Sequence, residues 1–399
     1  MSKNLTKEPM DIAEQRRHFP ALQDKTYLNF GGQGPLPTPA ITAICAAYEQ
    51  GQVWGPFSRR ALDWVAEQEH LTRATLATTL NVAAADITLT QSTTQGCTIV
   101  LWGWPWQAGD HLLLSDGEHP GVVATVAQLA QRFGLTWSTC PLSYCTEDTI
   151  TILEQAVQPQ TRMLVLSHIL WHTGEVLPLA EIGAFCAQRD IKLLIDGAQS
   201  LGVMPLDVTG VDFYTATGHK WLCGPAGLGV LYIHPQYREY LQPTHCGWRG
   251  LQGFTYQQPQ WSPDGQRHEI ATTAWELGVG LQASLTLHQS WGTATQRYGR
   301  LTQLAAELWT QLGEIPHLMR LLPHPPPCGL VSFRMANYSP ETLAQKLEQR
   351  GILVRAVAAG NCTRASIHYL TTGEELTQLV QALRELQGGT DPHVGTPEK

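Results

Sequence analysis

Between about residues 85 and 235 the chain repeats one pattern: a short apolar run rich in Val, Ile and Leu, then a stretch whose apolar residues recur every three or four positions. The runs His111–Ser115, Met163–His168, Ile191–Asp196, Phe213–Thr217 and Gly227–Ile233 are predicted strands, and Gly121–Phe133 and Leu179–Arg189 are predicted helices. Strands separated by helices are joined by crossovers rather than hairpins, so a mostly parallel sheet with both faces covered is expected. The expected fold class is α/β.

From about residue 286 the texture changes. A long helical stretch, Ser284–Leu312, meets a proline-rich break at His324–Pro327, and strand, helix, strand and helix patterns follow to Leu386. A second, smaller α+β unit is expected there. The predicted boundaries are a large domain over 26–285, a small domain built from 1–25 and 286–387, and a tail over 388–399 whose Gly, Pro, Thr and charge predict disorder.

With 43% hydrophobic residues in 399, the chain can bury a large core. A net charge of -8, without basic runs interleaved with aromatics, argues against a nucleic-acid partner. No uncharged apolar stretch is long enough to span a membrane, and the first residues lack an apolar signal region, so a cytoplasmic protein is expected. The nine cysteines are scattered, odd in number and without a C-x-x-C pair, which predicts neither a disulfide framework nor a metal site.

Ligands bind beyond the carboxyl ends of such strands. The run Ile191–Ile195 delivers Asp196, followed by Gly197-Ala198-Gln199. That aspartate either caps the next helix or holds a buried partner. The strand ending at Ala216 leads into Thr217-Gly218-His219-Lys220-Trp221. Lys220 has apolar flanks, and desolvation lowers a lysine pKa toward the value that Schiff-base chemistry needs. Leu89-Thr90-Gln91-Ser92-Thr93-Thr94-Gln95-Gly96 places hydroxyls between a strand and a helix. Hydroxyls and free N–H groups there suit a phosphate, although Ser and Thr are also the commonest helix caps. The segment is neither a P-loop nor a dinucleotide fingerprint, and Gly31-Gly32-Gln33-Gly34 precedes a proline-rich turn, so nucleotide binding has no direct support.

The order of the segments is more specific than any one of them. Tyr27-Leu28-Asn29-Phe30, Ser92-Thr93-Thr94, Glu118-His119, Asp196-Gly197-Ala198-Gln199, Thr217-Gly218-His219-Lys220 and Arg364-Ala365-Ser366 together resemble the successive motifs of the class V aminotransferases, the group that contains cysteine desulfurases and selenocysteine lyases. The resemblance covers about residues 20–386. It implies the fold type I architecture of pyridoxal 5'-phosphate (PLP) enzymes, with a mostly parallel seven-stranded sheet in the large domain and a smaller α+β domain.

Carried over residue by residue, the resemblance implies that Lys220 holds PLP as a Schiff base. Asp196 would keep the pyridine nitrogen protonated, His119 would stack on the ring and Gln199 would reach its phenolic oxygen. Thr93, Thr94, Thr217 and His219 would hold the phosphate. Thr273 matches a position that reaches the neighbouring subunit's phosphate, which implies a homodimer with shared active sites. Arg364 would clamp the substrate carboxylate, with Arg355, Asn29 and Trp248 as further substrate-binding positions. Core packing is the competing reading of Trp248.

Two departures from the family pattern bear on function. Trp171 stands where many relatives have an asparagine near the phenolic oxygen, leaving more of that contact to Gln199. Desulfurases carry a nucleophilic cysteine on a loop well ahead of the clamp arginine, whereas here only Cys362 lies in the short interval Arg355–Arg364, two residues before Arg364. The chain is most similar to the cystine C-S lyases of the family. That implies β-elimination from cystine or cysteine to pyruvate, ammonia and a persulfide or sulfide, with a sulfur acceptor protein and iron-sulfur cluster supply as possible outlets. A cysteine desulfurase or selenocysteine lyase, a class V aminotransferase and an epimerase are the alternatives.

Overall fold

In the computed structural model, which describes residues 11–144, 147–255 and 257–387, seven strands form one sheet. Their order across it is Ile87–Thr90, Gly229–Ile233, Phe213–Thr217, Lys192–Asp196, Thr161–Ser167, His111–Ser115 and Thr136–Cys140. Gly229–Ile233 runs antiparallel to both neighbours, and every other pairing is parallel. The predicted tail lies outside the described residues. No helix among the described residues is long and apolar enough to cross a membrane.

Strand geometry explains the continuous apolar runs. Successive side chains point to opposite faces, so Leu113, Leu164, Ile195 and Val230 enter one core while Leu112, Val165, Leu194 and Leu231 enter the other. The helix Leu179–Gln188 covers the first face through Ile182 and Phe185, and Pro120–Phe133 covers the second through Val122, Val126 and Leu129. Close packing needs glycine at Gly96, in the helix Thr93–Gly103, where a Cβ would stand 1.9 Å from Thr215 Oγ1. That contact draws the helix N-terminus against the ends of the strands.

The remainder of the chain builds a four-stranded antiparallel sheet in the order Leu318–Arg320, Leu330–Met335, Cys362–Ser366 and Arg355–Val357. The helices Ala294–Leu312, Pro340–Glu348 and Gly373–Leu386 accompany it, with a core of its own around Phe333, Leu308 and Leu379. The start of the chain is stitched to this sheet's surroundings: Thr26–Tyr27 pairs with Ile352–Leu353, and Arg16 bonds to Glu375 at 2.9 Å. The long helix expected over Ser284–Leu312 is two helices, Trp275–Trp291 and Ala294–Leu312. Gly292 is extended, and Thr293 and Gln296 form a capping box that starts the second helix. A hairpin, Leu251–Thr255 with Gln258–Trp261, was not predicted, because its outward, glutamine-rich positions lack apolar alternation.

Burial keeps several histidines neutral. His168 is held down to about 4, His268 and His288 to about 3, and His368 well below its ordinary value, desolvation leading in each. Unfolding lets each bind a proton below about pH 6.5, so their stabilisation is fully present above that pH and is lost as the pH falls toward the folded values. Glu118, raised to about 7 mainly by burial, has the opposite sign between about 7 and 4.5 and offsets one of them. Chemical denaturation should therefore show a net loss of roughly 3 to 4 kcal/mol per pH unit on acidification from 6 to 5. A flat profile would mean that these histidines are not buried as described.

Candidate active site

The carboxyl ends of the parallel strands open into a cavity of about 240 Å³. Parallel register sets the first residues: Ser167 pairs with Asp196, and Asp196 with Thr215. Asp196 therefore ends the central strand. Its Oδ1 accepts the Ala198 N–H at 2.9 Å, and it has no ion-pair partner among the described residues. Burial pushes its carboxyl up, against the opposing pull of the Ala198 N–H, Lys220 and His119.

Lys220 enters from the turn after Phe213–Thr217. Its backbone is fixed by the early glycines: Gly34 N–H donates to His219 O at 2.8 Å, and a Cβ at Gly34 would stand 2.1 Å from Lys220 O. Desolvation brings the lysine down to about 8; Asp196 opposes that shift, while Arg364 and Arg355 add to it. Thus Gly31–Gly34, set aside as a nucleotide loop, shapes the site, with Gly32 in the cavity wall and Gly31 O accepting Gln199 Nε2 at 2.9 Å.

The first turn of Thr93–Gly103 forms another wall. Ser92 caps it by accepting Gln95 N–H at 3.2 Å, and Ser92, Thr93 and Thr94 line the cavity. Thr93 Oγ1 is buried without a hydrogen-bond partner among the described residues. Opposite, His219 Nδ1 and Thr217 Oγ1 lie 2.7 Å apart, and both residues also line the cavity. An N-terminal helical turn, an orphaned hydroxyl and an imidazole make an anion cradle.

His119 caps the helix Pro120–Phe133, its Nδ1 accepting the Gly121 N–H at 3.1 Å, so the neutral ring carries its proton on Nε2. Desolvation lowers its pKa, with Asp196 opposing and Lys220 and Arg355 reinforcing. Glu118, beside it, accepts Ser115 Oγ–H, Ser167 N–H and Ser167 Oγ–H, tying two strand ends under the site. Trp171 meets His119 edge-on, with centroids 5.5 Å apart, and lines the cavity.

Arg364 is fully buried and Arg355 exposed, and they face one another directly across the antiparallel ladder. Cross-strand partners share a face, so the two cations meet on the side where Arg355 lines the cavity. Arg364 Nη1 donates to Trp171 O at 2.5 Å, while Nε and Nη2 have no acceptor among the described residues. Desolvation, then Arg355, pulls Arg364 down to about 9. A buried cation facing another without a carboxylate awaits an anion.

The structure brings Lys220, Asp196, His119, Thr93, Thr94, Gln199, Thr217, His219 and Arg355 to one cavity, with Arg364 behind it and Asn29 bridged to Ser366. Thr273 and Trp248 are elsewhere. They line a second cavity, of about 280 Å³, with Tyr48, Phe57 and Trp275, and Trp248 is 58% exposed. Ser92, Ser167, Ile169, Ala198 and Gly32 line the first cavity without having been singled out as site residues. Ser92 and Ala198 stand within quoted motifs and Gly32 within the early glycine run, whereas Ser167 and Ile169 carried no signal beyond their place at the end of a strand.

These residues fit PLP. The cradle matches its phosphate, the uncompensated Asp196 carboxylate matches a protonated pyridine nitrogen, and Lys220 supplies an amine whose pKa is already lowered. Gln199 Oε1 accepts the Trp221 Nε1–H at 2.8 Å and its Nε2 donates to Gly31 O, which leaves a second N–H on that nitrogen. The fold and site are those of a fold type I, PLP-dependent enzyme. Residues 26–379 match the model for aminotransferase class-V, and the chain belongs to that family. It is 30% identical to isopenicillin N epimerase of Streptomyces clavuligerus over 90% of this chain and 94% of that protein. It is 28% identical to a probable cysteine desulfurase of Methanothermobacter thermautotrophicus, over 95% and 99%. Among solved structures, the cystine C-S lyase C-DES in complex with its reaction product cysteine persulfide superposes with a TM-score of 0.89 at 44% identity, covering 92% of this chain and 99% of that one.

Proposed function

We propose that the chain is a PLP-dependent carbon-sulfur lyase that takes L-cystine, and less readily L-cysteine, by β-elimination. Cystine and water would give pyruvate, ammonia and cysteine persulfide; cysteine would give sulfide. The observation that carries this reading is the pair Arg355 and Arg364, opposed across one ladder at the cavity. Like charges placed so destabilise a sheet unless something anionic lies between or beyond them, and cystine has two carboxylates where cysteine has one. The likeness to C-DES supports the same reading.

When bound, PLP supplies an electron sink that stabilises negative charge at the substrate Cα. The chain's own residues do the rest. Arg364 grips the α-carboxylate and Arg355 the distal one. Lys220 Nζ removes the Cα proton; with its pKa near 8, roughly a tenth of the amine is free base at pH 7, against less than one part in a thousand for an ordinary lysine. Asp196 would supply the negative charge that keeps the ring nitrogen protonated. Among the described residues no thiol lines the cavity: Cys362 is fully buried, its Sγ directed at His172 O, and burial pushes its pKa up. The exposed cysteines, Cys45 and Cys246, do not line the cavity. Electrons therefore leave with the sulfur rather than passing through a protein persulfide.

Trp248 and Thr273, with the exposed Phe57 and Tyr48 around the second cavity, favour a homodimer in which a second copy covers this apolar face and the two residues reach its site. Cytoplasmic location, a sulfur acceptor protein and supply of sulfur to iron-sulfur clusters complete the proposal. Its test is Arg355→Ala. kcat/KM for cystine should fall by about 1.5 to 3 kcal/mol, the range for a charge-assisted hydrogen bond, while cysteine is affected less. Equal losses on the two substrates would remove Arg355 from recognition of the distal carboxylate.

A further inference from the structure

Trp171 lines the cavity, and its indole N–H is buried without an acceptor among the described residues. Its own carbonyl holds Arg364 Nη1 at 2.5 Å, so the indole and the guanidinium are joined through a single residue. Nε and Nη2 of Arg364 are likewise buried without acceptors. Two residues joined by one hydrogen bond thus carry three buried donors without acceptors and one positive charge. A carboxylate, with two oxygens and about four lone pairs, satisfies all of them at once, whereas a carboxamide or ester offers fewer acceptor sites and no charge. Arg355, exposed and across the ladder, is left for the other end of the substrate. Gln199 retains an N–H for the phenolic oxygen, the rival acceptor within the site.

We propose that Trp171 is a substrate-contacting specificity residue whose indole N–H donates to the α-carboxylate gripped by Arg364. This deepens the lyase reading and rests only on the part of it in which the site takes an amino acid. The loop that carries Trp171 is held by the clamp's own strand and by the segment leading into its neighbour Leu330–Met335: Cys362 Sγ is directed at His172 O, and Cys328 Sγ donates to Gly174 O at 3.1 Å. The indole is therefore placed before substrate arrives, at little further ordering cost.

Glycine and methylamine separate the carboxylate from the amine, and neither can undergo elimination. Their dissociation constants can be read on the holoenzyme from the change in its visible spectrum, alongside the pH titration of the resting spectrum. In Trp171→Phe the glycine constant should rise about tenfold or more, methylamine should change less than twofold, and the resting titration should stay where it is. Substitution of Trp171 by β-(3-benzothienyl)alanine, which keeps the bicyclic shape and lacks the N–H, should give the same result if the phenylalanine variant folds poorly. Unchanged glycine binding, equal weakening of glycine and methylamine, or a displaced resting titration that marks the phenolic oxygen as acceptor would each overturn the proposal. A wild-type spectrum indifferent to glycine would contradict the amino-acid reading itself. Failure of elimination with intact glycine binding would strike the lyase reading alone.

Discussion

Replacing Lys220 with alanine is expected to abolish borohydride-reducible attachment of the cofactor to the chain and to lower turnover by about 10⁴-fold, the upper end for loss of a positioned general base. Lys220 is the lysine that lines the cavity. The other lysines of the described residues are engaged elsewhere: Lys25 with Asp24 at 2.7 Å, Lys192 with Asp190 at 2.5 Å, and Lys346 over the Tyr338 ring. Both roles assigned to Lys220, covalent attachment and proton removal at Cα, need an amine without a proton, and the desolvation that brings it down to about 8 serves both. Borohydride reduction of the variant followed by peptide mapping checks the assignment. A reduced, cofactor-labelled lysine at any other position would move the chemistry away from this turn.

Asp196→Asn should cost on the order of 3 kcal/mol in kcat/KM, as for removal of one preorganised electrostatic group. Asparagine keeps the hydrogen bond from the Ala198 N–H and the volume, so the strand end survives. What it removes is the buried negative charge, which has no ion-pair partner of its own among the described residues and whose pKa is raised by burial. Among the described residues, that charge is the only one in the cavity wall able to compensate a protonated ring nitrogen. Turnover within about twofold of the parent enzyme would reduce Asp196 to a cap on the turn that follows it, a loss too small for an electrostatic role.

How much of this was legible in the sequence depended on how local the cause was. The strands were readable because both faces of the sheet are covered, so Leu112-Leu113-Leu114 and Val230-Leu231 are apolar without alternation. The turn at Lys220 and the hydroxyls at Ser92-Thr93-Thr94 were readable because each is one short segment at one strand end. The break at Gly292-Thr293 was missed because apolar spacing continues through it, and only the capping box marks the stop. Other features come from pairing distant segments. The opposition of Arg355 and Arg364 exists only in the antiparallel register, and the anchoring of Glu118 needs Ser167, from the neighbouring strand. The packing of Gly34 on the Lys220 turn brings together residues far apart in the chain. The separation of Thr273 and Trp248 from the first cavity likewise reflects tertiary structure that no single segment encodes.

The central claim is that sulfur leaves by elimination, and the carbon product of cystine tests it most directly. Purified holoenzyme incubated with L-cystine and no keto acid should release pyruvate and ammonia in equal amounts, and Cys362→Ala should retain most of this activity. Alanine as the carbon product, or complete loss of turnover in Cys362→Ala with the cofactor still bound, would contradict the account.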